Sequence, residues 1–172
     1  MRRAGALLAP FALLAAVSAA LAGCGLEPMY AGGGSGAVAQ GLAAVEVPAI
    51  EGRAGWLVRN ALQERLGQSG NTSATPRYRL DVLLDDSLEG LGLLTGETIG
   101  RERRTLRARY QLVDLATGRI VVDATAGSDA GIDVVSSEFA TIAAEQTALE
   151  NLSREVADRI VTRVTVALRE PA

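Results

Sequence analysis

The sequence predicts a small α/β sandwich in which two helices pack on one face of a four-stranded mixed sheet. Apolar and polar residues alternate in three segments of its middle region, and this period of two is typical of strands with one buried face. Two other segments repeat apolar residues at intervals of three and four, the spacing of one helical face. With a short apolar run before them, the order of elements is β-α-β-β-β-α. Such elements bury their apolar faces most economically as one helical layer on one sheet.

The first strand and the first helix are predicted from residue 42 onward. The apolar run Leu42–Val47 predicts a strand, which Pro48 ends. A helical face follows, and Gly67 and Gly70 supply stop signals after it. Its apolar members are Ala54, Leu57, Val58, Ala61, Leu62 and Leu66. Because a strand-helix-strand crossover joins parallel strands in the right-handed sense, we expect strand 1 to run parallel to strand 2.

Three alternating segments predict the rest of the sheet. Strand 2 covers residues 78–85, strand 3 covers Thr98–Val113, and strand 4 covers residues 119–126. The inward members are Tyr78, Leu80, Val82 and Leu84, then Leu106, Ala108, Tyr110 and Leu112, then Ile120, Val122, Ala124 and Ala126. Asp114 and Gly118 begin and end a sequence typical of a type I turn with a left-handed glycine, which predicts a hairpin between strands 3 and 4.

A long helix from about Glu138 to Glu170 is predicted to close the domain. Its apolar residues keep near-helical spacing, and Pro171 follows it. They are Phe139, Ile142, Leu149, Leu152, Val156, Ile160, Val164 and Leu168. A break near Asn151 is the alternative to one continuous helix.

The composition argues against catalysis. The 172-residue chain has 17 basic side chains, all of them arginine, 20 acidic ones, a net charge of −3 and no histidine. Without histidine, the chain lacks the commonest general base near neutral pH and the commonest metal ligand. Its serines show no Gly-x-Ser-x-Gly motif, and its glycine-rich segments lack the Gly-Lys-Ser/Thr end of a phosphate-binding loop. We therefore expect no enzymatic activity and no metal.

Residues 1–23 have the composition of a bacterial export signal. Two arginines precede an uncharged run rich in Ala and Leu, the order found in signal peptides. The sequence Leu21-Ala22-Gly23-Cys24 matches the lipobox of bacterial lipoprotein precursors at all four positions. We expect cleavage before Cys24 and attachment of diacylglycerol and an N-acyl chain to Cys24, which anchors the chain to a membrane without spanning it. The residue after the cysteine is Gly25 rather than aspartate, which favours the outer membrane.

The segment after the lipobox is predicted to be a tether. Residues 24–41 are rich in Gly and Ala, so they bury too little apolar area to offset the entropy of ordering them. For a Gly-rich chain of this length, the mean span is roughly 20–25 Å. The expected organisation is a signal peptide at 1–23, a lipidated flexible tether at 24–41 and a single domain at 42–172.

Two features are candidate binding sites. Arg101, Arg103, Arg107 and Arg109 occupy outward positions of strand 3, and guanidinium groups suit phosphate or carboxylate anions. The alternative is cross-strand pairing with Asp81, Asp85 and Asp123, which would leave a neutral surface. The second feature is the Leu- and Gly-rich segment 88–96, predicted as a loop between strands 2 and 3. Its Leu91, Leu93 and Leu94 are candidates for contact with lipid or a partner, because exposed apolar loops are costly; a tucked or flexible hairpin tip is the alternative.

Four stretches together resemble the LptE family of LPS-assembly lipoproteins, particularly its alphaproteobacterial members. They are Leu21–Tyr30, Tyr78–Val82, Arg104–Asp114 and the Ala-rich helix Ala143–Ile160. The Cys-Gly-aromatic-x-Pro-Leu-Tyr start of that family occurs here from Cys24 to Tyr30, with Leu26 and Met29 as departures. The resemblance covers nearly the whole chain after residue 23.

The resemblance implies a non-catalytic domain that lies inside the outer-membrane LPS-assembly β-barrel (LptD-type), as plug and folding partner, and helps to deliver lipopolysaccharide to the outer leaflet. Its implied partners are the barrel, lipopolysaccharide and the membrane through the lipid anchor, with no nucleic acid. The arginines would then meet lipid A phosphates or barrel carboxylates, and the leucine-rich segment would touch acyl chains or the barrel wall. An auxiliary lipoprotein of a lipid ABC transport system is the alternative function.

Overall fold

Three long antiparallel strands form most of the sheet in the structure, a computed structural model that describes residues 36–67, 75–94 and 98–169. The helices are α1 (Ala37–Ala43), α2 (Gly52–Arg65) and α3 (Glu138–Arg169). The strands are β1 (Val45–Glu46), β2 (Tyr78–Leu94), β3 (Thr98–Asp114) and β4 (Ile120–Asp133). The predicted fold class is confirmed, with one short helix added before the first strand.

The four strands lie in the order β1-β2-β3-β4. As predicted, β1 pairs in parallel with the start of β2, with Val45 opposite Tyr78. The other pairs are antiparallel, and their register aligns Leu80 with Leu112 and Leu112 with Val122. This alignment puts the apolar residues of three strands on one face, where the helices cover them.

Residues 88–94 belong to β2, so the prediction of a loop there is wrong. Gly90 pairs with Glu102 and Leu91 with Arg101 on β3. Gly92 has a φ of 75°, a left-handed conformation that glycine adopts without strain. Main-chain pairing with β3 outweighs the low strand propensity of the two glycines, because propensity is a weaker determinant of strands than their neighbours are.

Helix α3 is continuous over its 32 residues, so the alternative of a break near Asn151 is not observed. Its side toward the sheet buries an apolar stripe that includes Leu149, Leu152, Val156, Ile160 and Val164. Burying each of these side chains stabilises the fold by about 1.5–3 kcal/mol. The stripe and the sheet residues beneath it form the core of the domain.

The prediction that Phe139 and Ile142 join this stripe is wrong, because they are 83% and 44% exposed. The cause lies in the rotation of α3, because the buried residue of its first turns is Thr141. Residues two apart in a helix lie on opposite sides of it, so Phe139 points away from the sheet. The spacing of the apolar residues therefore does not match the face that the helix buries there.

Helix α2 packs on α3 through Val58 and Leu62, which are fully buried. Its approach to the preceding segment requires Gly55, since a Cβ there would lie 2.5 Å from the carbonyl oxygen of Ile50. At the other end of α2, Arg65 donates from Nη2 to Asp158 Oδ2 on α3 at 3.1 Å. This hydrogen bond raises the pKa of Arg65.

The predicted hairpin between β3 and β4 is confirmed. The Asp114 carboxylate accepts hydrogen bonds from the N–H groups of Ala116 and Thr117 at 2.8 and 3.1 Å, and Gly118 has a φ of 69°. Immediately after the turn, Val113 pairs with Ile120 but Leu112 pairs with Val122. This one-residue bulge turns Ile120 away from the core, where it was predicted to lie, and leaves it 53% exposed.

Helix α1 occupies the last residues of the segment predicted as tether, so that prediction is wrong for residues 37–41. The helix packs on the end of α3, because Gly41 lies close to Leu168 and Leu42 is buried. The first strand is shorter than predicted for the same reason.

Cys24 and the predicted signal peptide lie outside the described residues. None of the helices that the structure describes combines the length and the apolarity needed to cross a bilayer.

Candidate functional site: the open face of the sheet

The face of the sheet opposite the helices, which we call the open face, carries a row of arginines. Leu106, Ala108 and Tyr110 of β3 turn toward the helices and are buried, so the residues between them point the other way. The structure thus brings together the four arginines that the sequence singles out, and all four are exposed. They are Arg101, Arg103, Arg107 and Arg109.

Three of these arginines form ion pairs with aspartates of β4. The N–O distances are 3.0 Å for Arg101–Asp133, 3.8 Å for Arg103–Asp129 and 3.3 Å for Arg109–Asp123. Every partner is at least 42% exposed, and such pairs contribute less than about 1 kcal/mol each. An incoming anion can therefore replace these carboxylates at little cost.

The alternative of a neutral surface is correct only in part. Of the three aspartates proposed as partners, Asp123 pairs with an arginine of the row, but Asp81 pairs with Arg79 of its own strand at 2.9 Å. Asp85 forms no ion pair with any residue that the structure describes. Two of the actual partners, Asp129 and Asp133, lie in a part of β4 beyond the predicted strand.

Arg107 is the arginine of the row that has no ion pair with a described residue. Its neighbour on β4 is Gly127. A Cβ at Gly127 would lie 3.2 Å from Arg107 Cγ and 3.3 Å from the carbonyl oxygen of Leu106. Glycine therefore lets the Arg107 side chain pack closely against β4, and it supplies no carboxylate. Arg107 is the guanidinium of the row most available to an external anion.

A groove of about 590 Å³ crosses the open face at Arg107. From the edge of the sheet, Arg159 of α3 reaches around β4 and donates from Nη1 to the carbonyl oxygen of Gly127. Leu83, 73% exposed, adds an apolar surface. The charged residues of the lining are Asp85, Arg107, Arg109, Asp129 and Arg159. With three cations against two carboxylates, the groove suits an anion that carries an apolar group.

Asp123 partly neutralises Arg109. Its Oδ2 accepts hydrogen bonds from Gln111 Nε2 at 2.9 Å and from Arg109 Nη2 at 3.3 Å. The Gln111 hydrogen bond and the Arg109 charge lower the pKa of Asp123, although desolvation opposes them. Asp123 therefore stays ionised, and Arg109 is a weaker anion site than Arg107.

A comparison with known protein families decides which family the chain represents. The sequence model of LptE, described as lipopolysaccharide-assembly, matches residues 42–164. The chain belongs to the LptE family. The match spans all four strands, α2 and most of α3, and with it the whole open face. LptE proteins are lipopolysaccharide-assembly lipoproteins, as the sequence resemblance implied. No curated protein gives a significant match to the chain.

Three solved structures have a fold similar to that of this chain. A predicted lipoprotein of Caulobacter crescentus CB15 has 23% identity and a TM-score of 0.62 over 77% of this chain and 96% of its own. Lipoprotein B of Nitrosomonas europaea has 13% identity and a TM-score of 0.54, covering 71% and 80%. Rare lipoprotein B of Shewanella oneidensis has 14% identity and a TM-score of 0.51, covering 73% and 97%. At these identities the likeness shows a common fold.

The sequence analysis of this LptE chain did not identify Arg104 as a structural arginine. Arg104 points toward the helices, where its Nε and Nη2 donate to Asp86 Oδ1 and Oδ2 at 2.8 and 2.6 Å. The hydrogen bond to Asp86 raises its pKa. The sequence could have indicated this pair. Arg104 lies two residues before the core residue Leu106, and Asp86 lies two residues after Leu84, so each charge is on the inward face of its strand. Two opposite charges on the apolar faces of paired strands indicate an ion pair under a helix.

The leucines predicted to contact lipid or a partner lie at the far end of β2. Leu91 is half-buried, on the open face beside Arg101. Leu93 and Leu94 belong to β2, but their side chains lie outside the described part of the chain. Val135 before α3, with Phe139 and Ile142 in its first turns, forms an exposed apolar group that the sequence did not predict. Within the described segments, no group of three or more residues has the makeup of a metal site.

Proposed function

We propose that this LptE-family chain is an outer-membrane lipoprotein that acts with the LPS-assembly β-barrel, as plug and folding partner, in delivering lipopolysaccharide to the outer leaflet. It catalyses no reaction in this role. Its signal peptide of residues 1–23, its lipid anchor at Cys24 and its periplasmic location belong to the same proposal. The family match supports the assembly role. Direct contact with lipopolysaccharide is supported by the guanidinium of Arg107, which lies in the groove and forms no ion pair with a described residue.

The chemistry of the open face fits the phosphorylated, acylated end of lipopolysaccharide. A guanidinium donates two parallel hydrogen bonds to a phosphate, and none of the described carboxylates forms an ion pair with Arg107 that would compete. Arg101, Arg103 and Arg109 can exchange their exposed aspartates for further phosphate oxygens, because these ion pairs are weak. Leu83 offers an apolar contact for an acyl chain next to the charged groove. In this proposal, the leucines that contact acyl chains or the barrel wall are Leu91, Leu93 and Leu94.

A charge-matched comparison tests this contact. Substitution of Arg103, Arg107 and Arg109 by serine should weaken lipopolysaccharide binding by the full chain at least about tenfold, since several charge-assisted hydrogen bonds are lost. The control replaces three exposed arginines of the helices, Arg53, Arg154 and Arg163, by serine and should leave binding within about twofold. Equal weakening in both variants would show that net charge alone attracts the lipid and would refute a site on the open face.

Co-purification tests the partner. The Cys24-lipidated protein, extracted from membranes with detergent and analysed by mass spectrometry, should bring with it a large β-barrel protein. Recovery of an inner-membrane permease or its substrate-binding subunit instead would support an auxiliary role in a lipid ABC transport system and contradict the proposal.

A further inference from the structure

Strand β2 has a long edge without a neighbouring strand. β1 pairs with β2 at Tyr78 and Arg79, whereas β2 continues to Leu94. From Val82 onward, no described strand pairs with β2 on that side. We call residues 82–90 of β2 the free edge. An edge of this length is a template for another extended chain.

The peptide groups that face the free edge follow from the hydrogen bond at its start. The N–H of Tyr78 donates to the carbonyl oxygen of Ala44 beside β1, so the main chain of Tyr78 points away from β3. Successive residues of a strand point their peptide groups to opposite sides. The residues whose N–H and C=O point outward are therefore Val82, Leu84, Asp86, Leu88 and Gly90.

The opposite edge of the sheet is closed by α3. Arg159 donates to the carbonyl oxygen of Gly127 in the middle of β4. One residue further, Ser128 Oγ donates to Glu155 Oε2 at 2.5 Å. These side chains occupy the space that a strand added to β4 would need. Helix α2 does not close the free edge of β2 in the same way, because it packs mainly on α3.

The side chains along the free edge define what would fit there. On the open face they read Leu83, Asp85, Ser87, Glu89 and Leu91. Asp85 and Glu89 are exposed and form no ion pair with a described residue, and Leu83 is 73% exposed. The edge thus presents two carboxylates four residues apart, with a hydroxyl between them and leucines outside them.

Charge argues against this chain as its own partner. A second copy that paired through its own β2 would place carboxylates beside carboxylates. A second copy that paired through β4 would bring three aspartates to the free edge, Asp123, Asp129 and Asp133. Like charges directly opposite each other on neighbouring strands are destabilising. The segment 24–35 contains Glu27 and no arginine, so it offers no complementary charge either.

We propose that the free edge of β2 binds an extended segment of a partner polypeptide, which joins the sheet and carries arginine or lysine at two positions four residues apart. Every second side chain of the added strand would lie on the open face, and these side chains would be apolar, basic, small, basic and apolar in order. The order is the same in either chain direction. Main-chain hydrogen bonds give the affinity, and the carboxylates of Asp85 and Glu89 give the specificity. The site goes beyond the proposed lipopolysaccharide contact because it uses the main-chain edge of β2, although Leu83 and Asp85 also line the groove beside the arginine row.

A synthetic nonapeptide tests the proposal directly. The probe is fluorescein-labelled Val-Thr-Arg-Thr-Thr-Thr-Arg-Thr-Val with an amidated end, titrated with the full lipidated chain in detergent and followed by fluorescence anisotropy. We expect saturable binding at submillimolar concentration. Replacing both arginines by glutamate, or N-methylating the peptide groups at alternate positions so that the edge facing β2 cannot donate, should each weaken binding about tenfold. Absence of saturable binding up to about 1 mM, or equal binding of the N-methylated peptide, would overturn the proposal.

Variants of β2 locate the site. Leu88→Pro removes an N–H that points to the free edge and leaves the bonds to β3 in place, so it should weaken binding of the arginine peptide about tenfold. Leu88→Thr, which keeps the N–H, should bind within about twofold of the wild type. Asp85→Asn combined with Glu89→Gln should remove the preference for the arginine peptide over the glutamate peptide. If circular dichroism shows that Leu88→Pro does not fold, the N-methylated peptide and the Asp85→Asn, Glu89→Gln double variant test whether the peptide binds at the free edge. Unchanged peptide preference in the double variant would refute the role of these carboxylates.

The lipopolysaccharide contact is tested separately from this site. The Leu88→Pro variant should retain lipopolysaccharide binding, whereas the serine triple variant at Arg103, Arg107 and Arg109 should retain peptide binding. Loss of peptide binding with lipopolysaccharide binding intact would locate the strand site on the free edge. Parallel loss of both activities in either folded variant would contradict two separate sites.

Discussion

Arg104 should stabilise the fold, in contrast to the arginines of the open face. It donates to both carboxylate oxygens of Asp86 and, at 3.2 Å, to the carbonyl oxygen of Glu145, so it ties β2, β3 and α3 together. The Arg104 and Asp86 side chains are only 17% and 24% exposed. Arg104→Met keeps most of the apolar stem but leaves the Asp86 carboxylate and the Glu145 carbonyl unpaired. Losing this partly buried, doubly hydrogen-bonded pair also leaves two acceptors unsatisfied, so we expect a loss of about 3 kcal/mol in the free energy of unfolding.

Urea unfolding of the chain from residue 24, with Cys24→Ser, measures this effect. With a denaturant slope of about 2 kcal/mol per molar, a loss of about 3 kcal/mol lowers the midpoint by about 1.5 M. The matched control is Arg101→Met, whose pair with Asp133 is exposed and should cost less than about 0.5 kcal/mol. A double-mutant cycle with Asp86→Ala should give a coupling of about 2 kcal/mol. Equal stability of the two methionine variants, or a coupling under about 0.5 kcal/mol, would refute the division of the arginines into structural and ligand-binding groups.

Three further predictions concern the fold. Leu152→Ala removes a buried side chain and should cost about 3 kcal/mol in urea unfolding, whereas Phe139→Ala, at a residue 83% exposed, should cost less than about 0.5 kcal/mol. Gly118→Ala forces a residue with a φ of 69° to carry a Cβ and should cost about 1 kcal/mol; the midpoint staying at the wild-type value would contradict the turn geometry. The lowered pKa of Asp123 means that its stabilising contribution is present above the unfolded pKa of 3.8 and is lost as pH falls through the lower folded pKa. Asp123→Asn should therefore flatten the acid limb of the plot of urea midpoint against pH, and an unchanged limb would show that Asp123 does not contribute.

Local patterns predicted much of the fold because they act on neighbouring residues. The alternation around Leu106 to Leu112 fixes which face of β3 is buried, and the carboxylate of Asp114 with Gly118 specifies the hairpin turn. Features that depend on distant partners were not predictable in this way. Residues 88–94 are strand because β3 pairs with them. Phe139 is exposed because α3 turns Thr141 rather than Phe139 toward the sheet, and the spacing of apolar residues alone does not reveal that rotation.

In the candidate site, too, local patterns predicted some features, whereas features that depend on distant residues were not predictable. The parity of β3 predicts that Arg101, Arg103, Arg107 and Arg109 share one face. Their ion-pair partners depend on the register of β3 against β4, including the bulge after Leu112, and on a strand that extends well past residue 126. The availability of Arg107 depends on the glycine across from it. No pattern within β3 contains that information.

Surface delivery of lipopolysaccharide in cells tests the central claim most directly. The chain would be depleted in its own bacterium and replaced by the wild type, by the serine triple variant at Arg103, Arg107 and Arg109, or by the charge-matched helix variant at Arg53, Arg154 and Arg163. Lipopolysaccharide reaching the outer leaflet would be measured by labelling from outside the cell. The proposed function predicts that depletion stops surface labelling, that the wild type and the helix variant restore it, and that the open-face variant does not. Normal labelling in depleted cells would contradict a role in delivering lipopolysaccharide, and full rescue by the open-face variant would contradict the arginine row as its site.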